Sequence, residues 1–272
     1  MNTNVQLIRP AVPQGMGQGK RAENWSSDLS ELLSREPRDG VPQFFHRTLK
    51  AGQRLVHGGQ EFESLYLVNA GWFKTVFVDE SGEEQVMGFS ARGDLLGADG
   101  IGSAQYLNEV IALGVADVVV IPFAQRGDLS RLKPGLEAAL LQIISRQMVN
   151  SQLATLAIST LPAPSRLARF LLSHGERMAM IGFNEQDFEL AMSRQDIASY
   201  LGMTIETVSR GLTRFAKQGL IKVTQRRIEV LNHAATQALA YPAGVLPRSE
   251  KSGHMVDPVA QLSRAAAVLV QQ

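Results

Sequence analysis

The stretch Ser193–Arg210 restricts what this chain can fold into more than any other, because it encodes two capped helices joined by a single glycine turn. Ser193 can cap the first helix, and Asp196, three residues later, completes a capping box at the positive end of the helix dipole. Gly202 permits a tight turn, and Thr204 is placed to cap the second helix. Two helices that meet across so short a turn form a helix-turn-helix.

The second helix, which we expect to end at Gln218 before Gly219, has two different faces at about 100° per residue. The apolar face carries Val208, Leu212 and Phe215, and the polar face carries Glu206, Ser209, Arg210 and Thr213. Arginine can pair with both acceptors of guanine, glutamate accepts from the cytosine amino group, and serine suits several bases. Glu206, Ser209 and Arg210, near the start of the helix, are therefore predicted to read base edges in a DNA major groove.

The two helices alone would also fit an ordinary helical hairpin on the protein surface, with solvated charges. The residues after the second helix favour DNA binding instead. Two short β-like runs, 220–223 and 228–231, flank a polar turn. This order predicts a winged helix whose basic tip contacts phosphate. The residues predicted to contact the DNA backbone are Ser193, Arg194, Thr204, Thr207, Arg214, Arg226 and Arg227.

Charge is unevenly distributed along the chain, although the formal net charge of its 272 residues is only +1. Residues 191–233 contain seven Lys or Arg and three Asp or Glu, whereas residues 44–127 contain six and ten. The basic excess coincides with the helix-turn-helix, as expected of a segment that approaches nucleic acid.

The motif resembles the DNA-binding domain of the Crp–Fnr superfamily of bacterial transcription regulators, over roughly residues 44–232 of this chain. Within that superfamily it is similar to the Fnr and FixK branch, because the cyclic-AMP receptor protein has arginine in place of Ile205 and glycine in place of Ser209. The resemblance implies an α+β fold: an N-terminal β-roll sensor domain of the cyclic-nucleotide-binding type, a long dimerisation helix and a C-terminal winged helix-turn-helix.

The same resemblance implies a function and a target. Arg210 would read the G of a TTGAT half-site, Glu206 the C opposite it, and Ser209 a neighbouring base. The protein would bind a TTGAT-N4-ATCAA-like palindrome in double-stranded DNA as a homodimer, in low-oxygen or redox-related gene control. RNA polymerase is the further partner implied, since activation is the commoner mode in the family, and no enzymatic activity is expected.

A helical segment before the DNA-binding region has the spacing of a coiled-coil seam. The seam residues, predicted as the dimer interface, are Leu141, Ile144, Met148, Ser151, Thr155 and Ile158. Leu140 and Ile143 form a second stripe that could pack against the roll. A single buried helix would show the same periodicity. A symmetric dimer that binds DNA, however, needs its two recognition helices roughly 34 Å apart, and a parallel pair of long helices can set that distance.

The domain organisation follows from turn signals and from two prolines at 162 and 164. The predicted units are 1–24, disordered; 25–127, the β-roll with a short helix from Trp25; 128–161, the dimerisation helix; 162–233, the winged helix-turn-helix; and 234–272, a largely disordered tail. The first helix of the winged domain is expected to begin at Ser165. A turn or two of helix is expected up to Ala240, and a marginal helix at 259–270. In the roll, residues 65–68, 73–78 and 110–121 are predicted to be strands. Without a signal-peptide core or an 18-residue apolar run, we expect a soluble cytoplasmic protein with no membrane partner.

The chain contains no cysteine, which excludes disulfides, thiolate zinc sites, cysteine nucleophiles and cysteine-ligated iron–sulfur clusters. The oxygen-sensing branch of the resembled family holds such a cluster through N-terminal cysteines, so that chemistry is ruled out here. Either another ligand or the abundance of the protein itself would then control it. No cofactor is predicted.

The sequence also bears on two other ligands and on one other class of protein. Between Gly93 and Gln125 there is no Lys or Arg, so a cyclic phosphate would be buried without a cation, which argues against a cyclic nucleotide. Haem is left open, with His46, His57 and His174 as possible ligands, although lone histidines are more often structural. A cupin-like metal enzyme would need several clustered histidines, and the five in this chain are scattered.

Overall fold

The structure is a computed structural model that describes residues 45–123 and 134–242 of the chain. The predictions for residues 1–24, for the helix from Trp25 and for the helix at 259–270 lie outside these ranges. The fold is α+β, with a β-roll, a long helix and a winged helix-turn-helix in that order, as predicted.

Two four-stranded antiparallel sheets form the roll, in the strand orders β1-β8-β3-β6 and β2-β7-β4-β5. Its elements are β1 (Phe45–Leu49), β2 (Arg54–Val56), β3 (Ser64–Ala70), β4 (Trp72–Val78), β5 (Glu84–Ala91), β6 (Leu95–Leu96), α1 (Gly100–Ser103), β7 (Glu109–Ala112) and β8 (Ala116–Pro122). Leu49, Leu65, Phe73 and Ile121 form part of its core. The apolar run 110–121 is split between β7 and β8, because the chain turns at 113–115.

The long helix α2 (Pro134–Thr160) packs one side against the roll. Leu140 and Ile143 are buried in the roll core, which confirms the second stripe. The side-chain amide of Gln147 donates to Leu95 O at 3.0 Å and accepts from Leu95 N at 3.3 Å. The amide therefore replaces a neighbouring strand at the edge strand β6, where backbone groups would otherwise lack partners.

The face of α2 that points away from the roll differs in part from the predicted seam. Among the six predicted residues, Leu141, Met148, Ser151, Thr155 and Ile158 are exposed, whereas Ile144 packs partly against the roll core. Val149 and Leu156, which were not predicted, are 46% and 40% exposed beside them. At 3.6 residues per turn, the exposed apolar residues Leu141, Met148, Val149 and Leu156 lie on one face, rotated from the predicted seam.

The C-terminal domain, which we call the head, comprises residues 163–241. Its elements are α3 (Ala163–Met180), β9 (Asp187–Glu189), α4 (Arg194–Leu201), α5 (Ile205–Lys217), β10 (Ile221–Thr224), β11 (Arg227–Val230) and α6 (His233–Ala240). The first helix begins at Ala163 rather than near Ser165, since a proline is tolerated in the first helical turn. β9 was not predicted, and it joins the wing strands in the order β10-β11-β9.

The turn or two of helix predicted up to Ala240 is present as α6, but the domain boundary predicted after residue 233 is wrong, because it assigns most of this helix to the tail. Asn232 caps this helix by accepting a hydrogen bond from Ala235 N at 3.0 Å. Ala240 at its end is fully buried in the core of the head, and Arg169 of α3 lies over the ring of Tyr241. The winged domain therefore extends to about residue 241.

The hairpin formed by β4 and β5 packs directly against α3 and α4 of the head. Trp72 stacks on His174 with ring centroids 4.6 Å apart, and Phe89 meets Tyr200 edge-on at 5.2 Å. Burial, and secondarily the charge of Arg177, lower the pKa of His174 to about 4. The imidazole is therefore neutral at neutral pH, as its apolar surroundings require.

Candidate nucleic-acid interface

The first helix of the motif, α4, begins at the predicted capping box. Ser193 Oγ accepts from Asp196 N at 3.1 Å, and the Asp196 carboxylate accepts from Ser193 N at 2.9 Å. Ile197 and Leu201 of the same helix are buried in the core of the head. Two backbone N–H groups that a helix start leaves unpaired are thus satisfied, which fixes where α4 begins.

The turn between the helices depends on Gly202, which has a φ of +61° in the left-handed region that favours glycine. Met203 N donates to Ala198 O at 2.9 Å across this turn. Thr204 Oγ1 then accepts from Thr207 N at 3.2 Å and caps α5, as predicted. The second helix therefore starts at Ile205, and three residues, 202–204, separate it from the end of the first helix at Leu201.

The buried face of α5 fixes the recognition helix in the head. Val208, Leu212 and Phe215 are all buried, as the helical period predicts. At Gly211 an added Cβ would lie 2.6 Å from Leu167 Cδ2, so glycine lets α5 cross close to α3. Core packing therefore determines which side chains of α5 face outward.

The outward face of α5 is an open, shallow groove. It is lined by Ser209, Arg210, Thr213, Arg214, Lys217 and Gln218. Arg210 is exposed, and Ser209 Oγ lies 3.4 Å from Nη1 of Arg194 on the neighbouring helix. Glu206, also exposed, has a lowered pKa because its carboxylate interacts with the backbone N–H at the helix start and with the Thr204 hydroxyl. The three predicted base-reading residues therefore lie together on one accessible face.

The residues predicted to contact phosphate fall into two groups. Ser193, Thr204 and Thr207 already use their hydroxyls in the two caps, where the Thr204 and Thr207 hydroxyls are 3.0 Å apart. Arg194 and Arg214 are exposed. For the first group, helix capping is the role that the structure shows.

The wing presents its two arginines differently. Arg226 is exposed at the tip and reaches Ala191 O at 3.4 Å. Arg227 instead forms an ion pair with Asp187, with Nε 2.7 Å from Oδ1. Because Asp187 lies on β9, which the sequence did not reveal, this pairing was not predicted. Arg227 therefore carries a partly neutralised charge.

Arg166 was missed by sequence reasoning although it supports the motif. Its Nη1 donates to Leu201 O at 2.8 Å, at the end of α4 and beside the glycine turn. A cation at a helix C-terminus compensates unpaired carbonyls and the negative end of the dipole. No local pattern signals this contact, since the two residues are 35 positions apart.

Aromatic rings fill the interior of the roll near the segment that follows β6. Tyr106 is fully buried, its ring centroid lies 5.4 Å from that of Phe62, and its hydroxyl donates to Ser64 O at 2.7 Å. The Asp99 carboxylate accepts from Leu107 N and Asn108 N, both at 3.0 Å. The Tyr106 hydroxyl and the Asp99 carboxylate are thus both bonded within the protein.

The histidines considered for haem lie apart from one another. His46 bonds Asp117 at 2.7 Å on the outside of the roll, His57 lies 3.8 Å from Glu109, and His174 is buried in the head. Within residues 45–123 and 134–242, no three histidine, aspartate or glutamate side chains are grouped as metal ligands would be. Of the helices that the structure describes, none combines the length and apolar character needed to cross a membrane.

A winged helix-turn-helix with an exposed, basic recognition face, joined to a β-roll by a long helix, defines a DNA-binding regulator. Residues 46–129 match the family model of the cyclic nucleotide-binding domain, and residues 165–239 match that of the Crp-like helix-turn-helix domain. The fumarate and nitrate reduction regulatory protein of Salmonella typhimurium is 38% identical over 194 residues, which cover 71% of this chain and 78% of that protein. The protein of that name from Escherichia coli K12 matches to the same extent. The chain therefore belongs to the Crp–Fnr family of transcription regulators.

Solved structures share the fold. The structure of FixK2 from Bradyrhizobium japonicum matches with a TM-score of 0.66 and 22% identity, over 74% of this chain and 98% of that one. A variant of CooA from Carboxydothermus hydrogenoformans matches with a TM-score of 0.61 and 19% identity, over 78% and 95%.

Proposed function

We propose that this chain acts as a homodimer that binds an inverted repeat of TTGAT half-sites separated by four base pairs. The observation that carries the proposal is the outward face of α5, where Glu206, Ser209 and Arg210 lie together while the opposite face is buried. Arginine and glutamate on adjacent turns suit the two strands of one G·C pair, since one donates to guanine and the other accepts from cytosine.

The exposed apolar face of α2 supports the homodimer. Leu141 and Met148 are 56% and 55% exposed, and Val149 and Leu156 extend the same face. A two-fold axis along α2 would bury the same patch of both copies and hold the two recognition helices at a fixed separation.

The dimer is tested by sedimentation of the double variant Met148→Gln/Leu156→Gln. We expect a shift from dimer to monomer at micromolar concentration, because each replacement removes apolar area from the interface. The matched control is Val115→Gln, in the turn between β7 and β8, where Val115 is 78% exposed. This variant should leave the dimer intact. A double variant that remains dimeric would exclude this face as the interface.

The amount of protein, rather than a bound cofactor, sets the activity in this proposal. A thiolate-held cluster cannot form without cysteine, and a cyclic phosphate would find no cation between Gly93 and Gln125. The relatives are named for fumarate and nitrate reduction, and by that likeness we assign this chain to redox-related gene control. Activation through contacts with RNA polymerase is part of the same proposal, since it is the commoner mode in the family.

The experiment is titration of a labelled TTGAT-N4-ATCAA duplex at a stated salt concentration, in air and without oxygen. We expect equally tight binding in both, about a thousandfold or more tighter than binding to a duplex of scrambled sequence. Equal affinity for the two duplexes would contradict sequence-specific binding. Tight binding in only one atmosphere would contradict control by abundance.

A further inference from the structure

The β4–β5 hairpin of the roll is hydrogen-bonded to α4, the first helix of the helix-turn-helix. We call this set of bonds the hairpin contact. Lys74 Nζ donates to Asp196 Oδ1 at 2.7 Å, and the two side chains are only 18% and 12% exposed. Gln85 Nε2 donates to Ser199 O at 2.5 Å, and Val86 N donates to Ser199 Oγ at 2.9 Å. The roll thus holds α4 at its first turn and again about one turn later.

Asp196 serves both the roll and the motif. Its second carboxylate oxygen closes the capping box with Ser193. Burial raises the pKa of Asp196, but hydrogen bonds from Lys74 and Ser193 outweigh burial, and the net pKa lies below its ordinary value. Because the pair is mostly shielded from water, salt screens it less than an exposed pair.

A second set of contacts, the Asp94 junction, joins three elements at one carboxylate. Asp94 lies between β5 and β6, is 13% exposed, and forms an ion pair with Arg177 of α3. Arg146 of α2 lies 3.8 Å from its other oxygen. Arg177 also donates to Phe89 O at 2.9 Å. The roll, the long helix and the head therefore meet at this residue.

The covalent link between α2 and α3 is short and could act as a pivot. α2 ends at Thr160 and α3 begins at Ala163, so only Leu161 and Pro162 lie between them. Rotation about these two residues would move α5 relative to the apolar face of α2. The hairpin contact and the Asp94 junction both oppose that rotation.

We infer that Lys74 and Asp94 are positioning residues for DNA recognition, which hold the head at one angle to α2 and thereby fix the half-site spacing that the dimer accepts. Neither residue lines the groove along α5. The inference rests on the proposed binding of a palindrome by a homodimer. In a two-fold dimer any rotation of the head is repeated in the second copy, so a loose head would tolerate several spacings.

The test uses the full-length chain and inverted TTGAT half-sites separated by three, four or five base pairs. One base pair more or less rotates one half-site by about 34° relative to the other. We expect the wild-type affinity to fall at least tenfold when the spacing changes. Lys74→Met and Asp94→Asn should each weaken binding to the four-base-pair site about tenfold and reduce the preference among the three spacings to within about threefold.

Three further variants separate positioning from other roles. Lys74→Arg keeps the cation and should retain the wild-type spacing preference. Arg54→Met removes an ion pair with Glu109, at 2.5 Å, that lies within the roll, and should behave as wild type. Arg210→Ala should lose discrimination at its base while keeping the spacing preference, because the head stays fixed.

Unchanged affinity and spacing preference in both Lys74→Met and Asp94→Asn would overturn the inference, and so would tighter binding, which would mean that the fixed arrangement opposes DNA binding. A wild-type chain that does not distinguish the palindrome from scrambled DNA would overturn the proposed function and this inference together. Circular dichroism and sedimentation verify that each variant is folded and dimeric. If Asp94→Asn does not fold, Lys74→Met and the double variant Lys74→Met/Gln85→Ala decide the matter.

Discussion

The recognition face of the head and its border with the roll use charged residues in opposite ways. On α5, Arg210 and Arg214 are exposed and form no ion pair with any residue that the structure describes. At the border, Lys74 and Asp94 are largely buried and bonded to partners from other elements. Unpaired cations remain available to bases and phosphates, whereas paired and buried charges define an orientation. We therefore expect exposed residues such as Arg210 to contact DNA and buried residues such as Lys74 to set the orientation of the head.

The largest expected effect contrasts the two faces of α5. Leu212→Ala should lower the free energy of unfolding by about 2–5 kcal/mol, because it leaves a cavity in the core of the head. The adjacent Thr213→Ala is on the exposed face and should change it by less than about 0.5 kcal/mol. Urea denaturation of both variants measures the difference. Similar losses would mean that α5 has no free face.

A smaller effect, on pH dependence, concerns the border between the domains. The pKa of His174 is lowered from 6.5 to about 4, so the unfolded chain binds a proton that the folded chain excludes. The free energy of unfolding should therefore be unaffected by this residue above pH 6.5 and fall as the pH decreases toward 4, by at most about 3 kcal/mol. Denaturation of the wild type and of His174→Phe over that range measures the effect.

The phenylalanine variant retains a ring between Trp72 and Phe188 and should lose most of this pH dependence. Its control is His46→Phe, on the exposed surface of the roll, which should keep it. An identical pH profile for wild type and His174→Phe would show that this side chain is not responsible.

The smallest expected effect compares the two arginines of the wing. Arg226→Ala should weaken binding to specific and scrambled duplexes alike and lower the slope of log affinity against log salt by about one. Arg227→Ala should do less, because Asp187 already pairs with that guanidinium. Titration over a range of salt concentrations measures both slopes. The opposite ranking would indicate that Arg227 leaves Asp187 when DNA binds.

The helix-turn-helix could be predicted from the sequence because its signals are local. The Ser193–Asp196 capping box, the Gly202 turn and the apolar period of α5 all lie within a few helical turns, and the structure confirms them. Contacts between distant residues could not be predicted in this way. Lys74 and Asp196 are 122 positions apart, and no local pattern joins them.

Short or ambiguous patterns account for the remaining differences. β9 has three residues, too few to show an alternating period. The spacing of three and four residues that placed Ile144 in the predicted dimer seam also fits residues that face the roll. The seam and the stripe of Leu140 and Ile143 lie on the same helix, so the spacing alone does not decide to which of them Ile144 belongs. Leu161 and Pro162 form the link between α2 and α3 in the structure, at the boundary that the prolines at 162 and 164 indicated.

The central claim, that α5 reads DNA through Arg210, is tested most directly by a double-mutant cycle between this residue and the G·C pair of the TTGAT half-site. Wild type and Arg210→Ala are titrated with the palindrome and with a palindrome in which that pair is replaced in both half-sites. We expect replacement of the base pair to weaken the free energy of DNA binding of the wild type by about 1–3 kcal/mol per half-site, and to leave that of Arg210→Ala almost unchanged. An equal loss for both proteins would show that another residue reads this base pair.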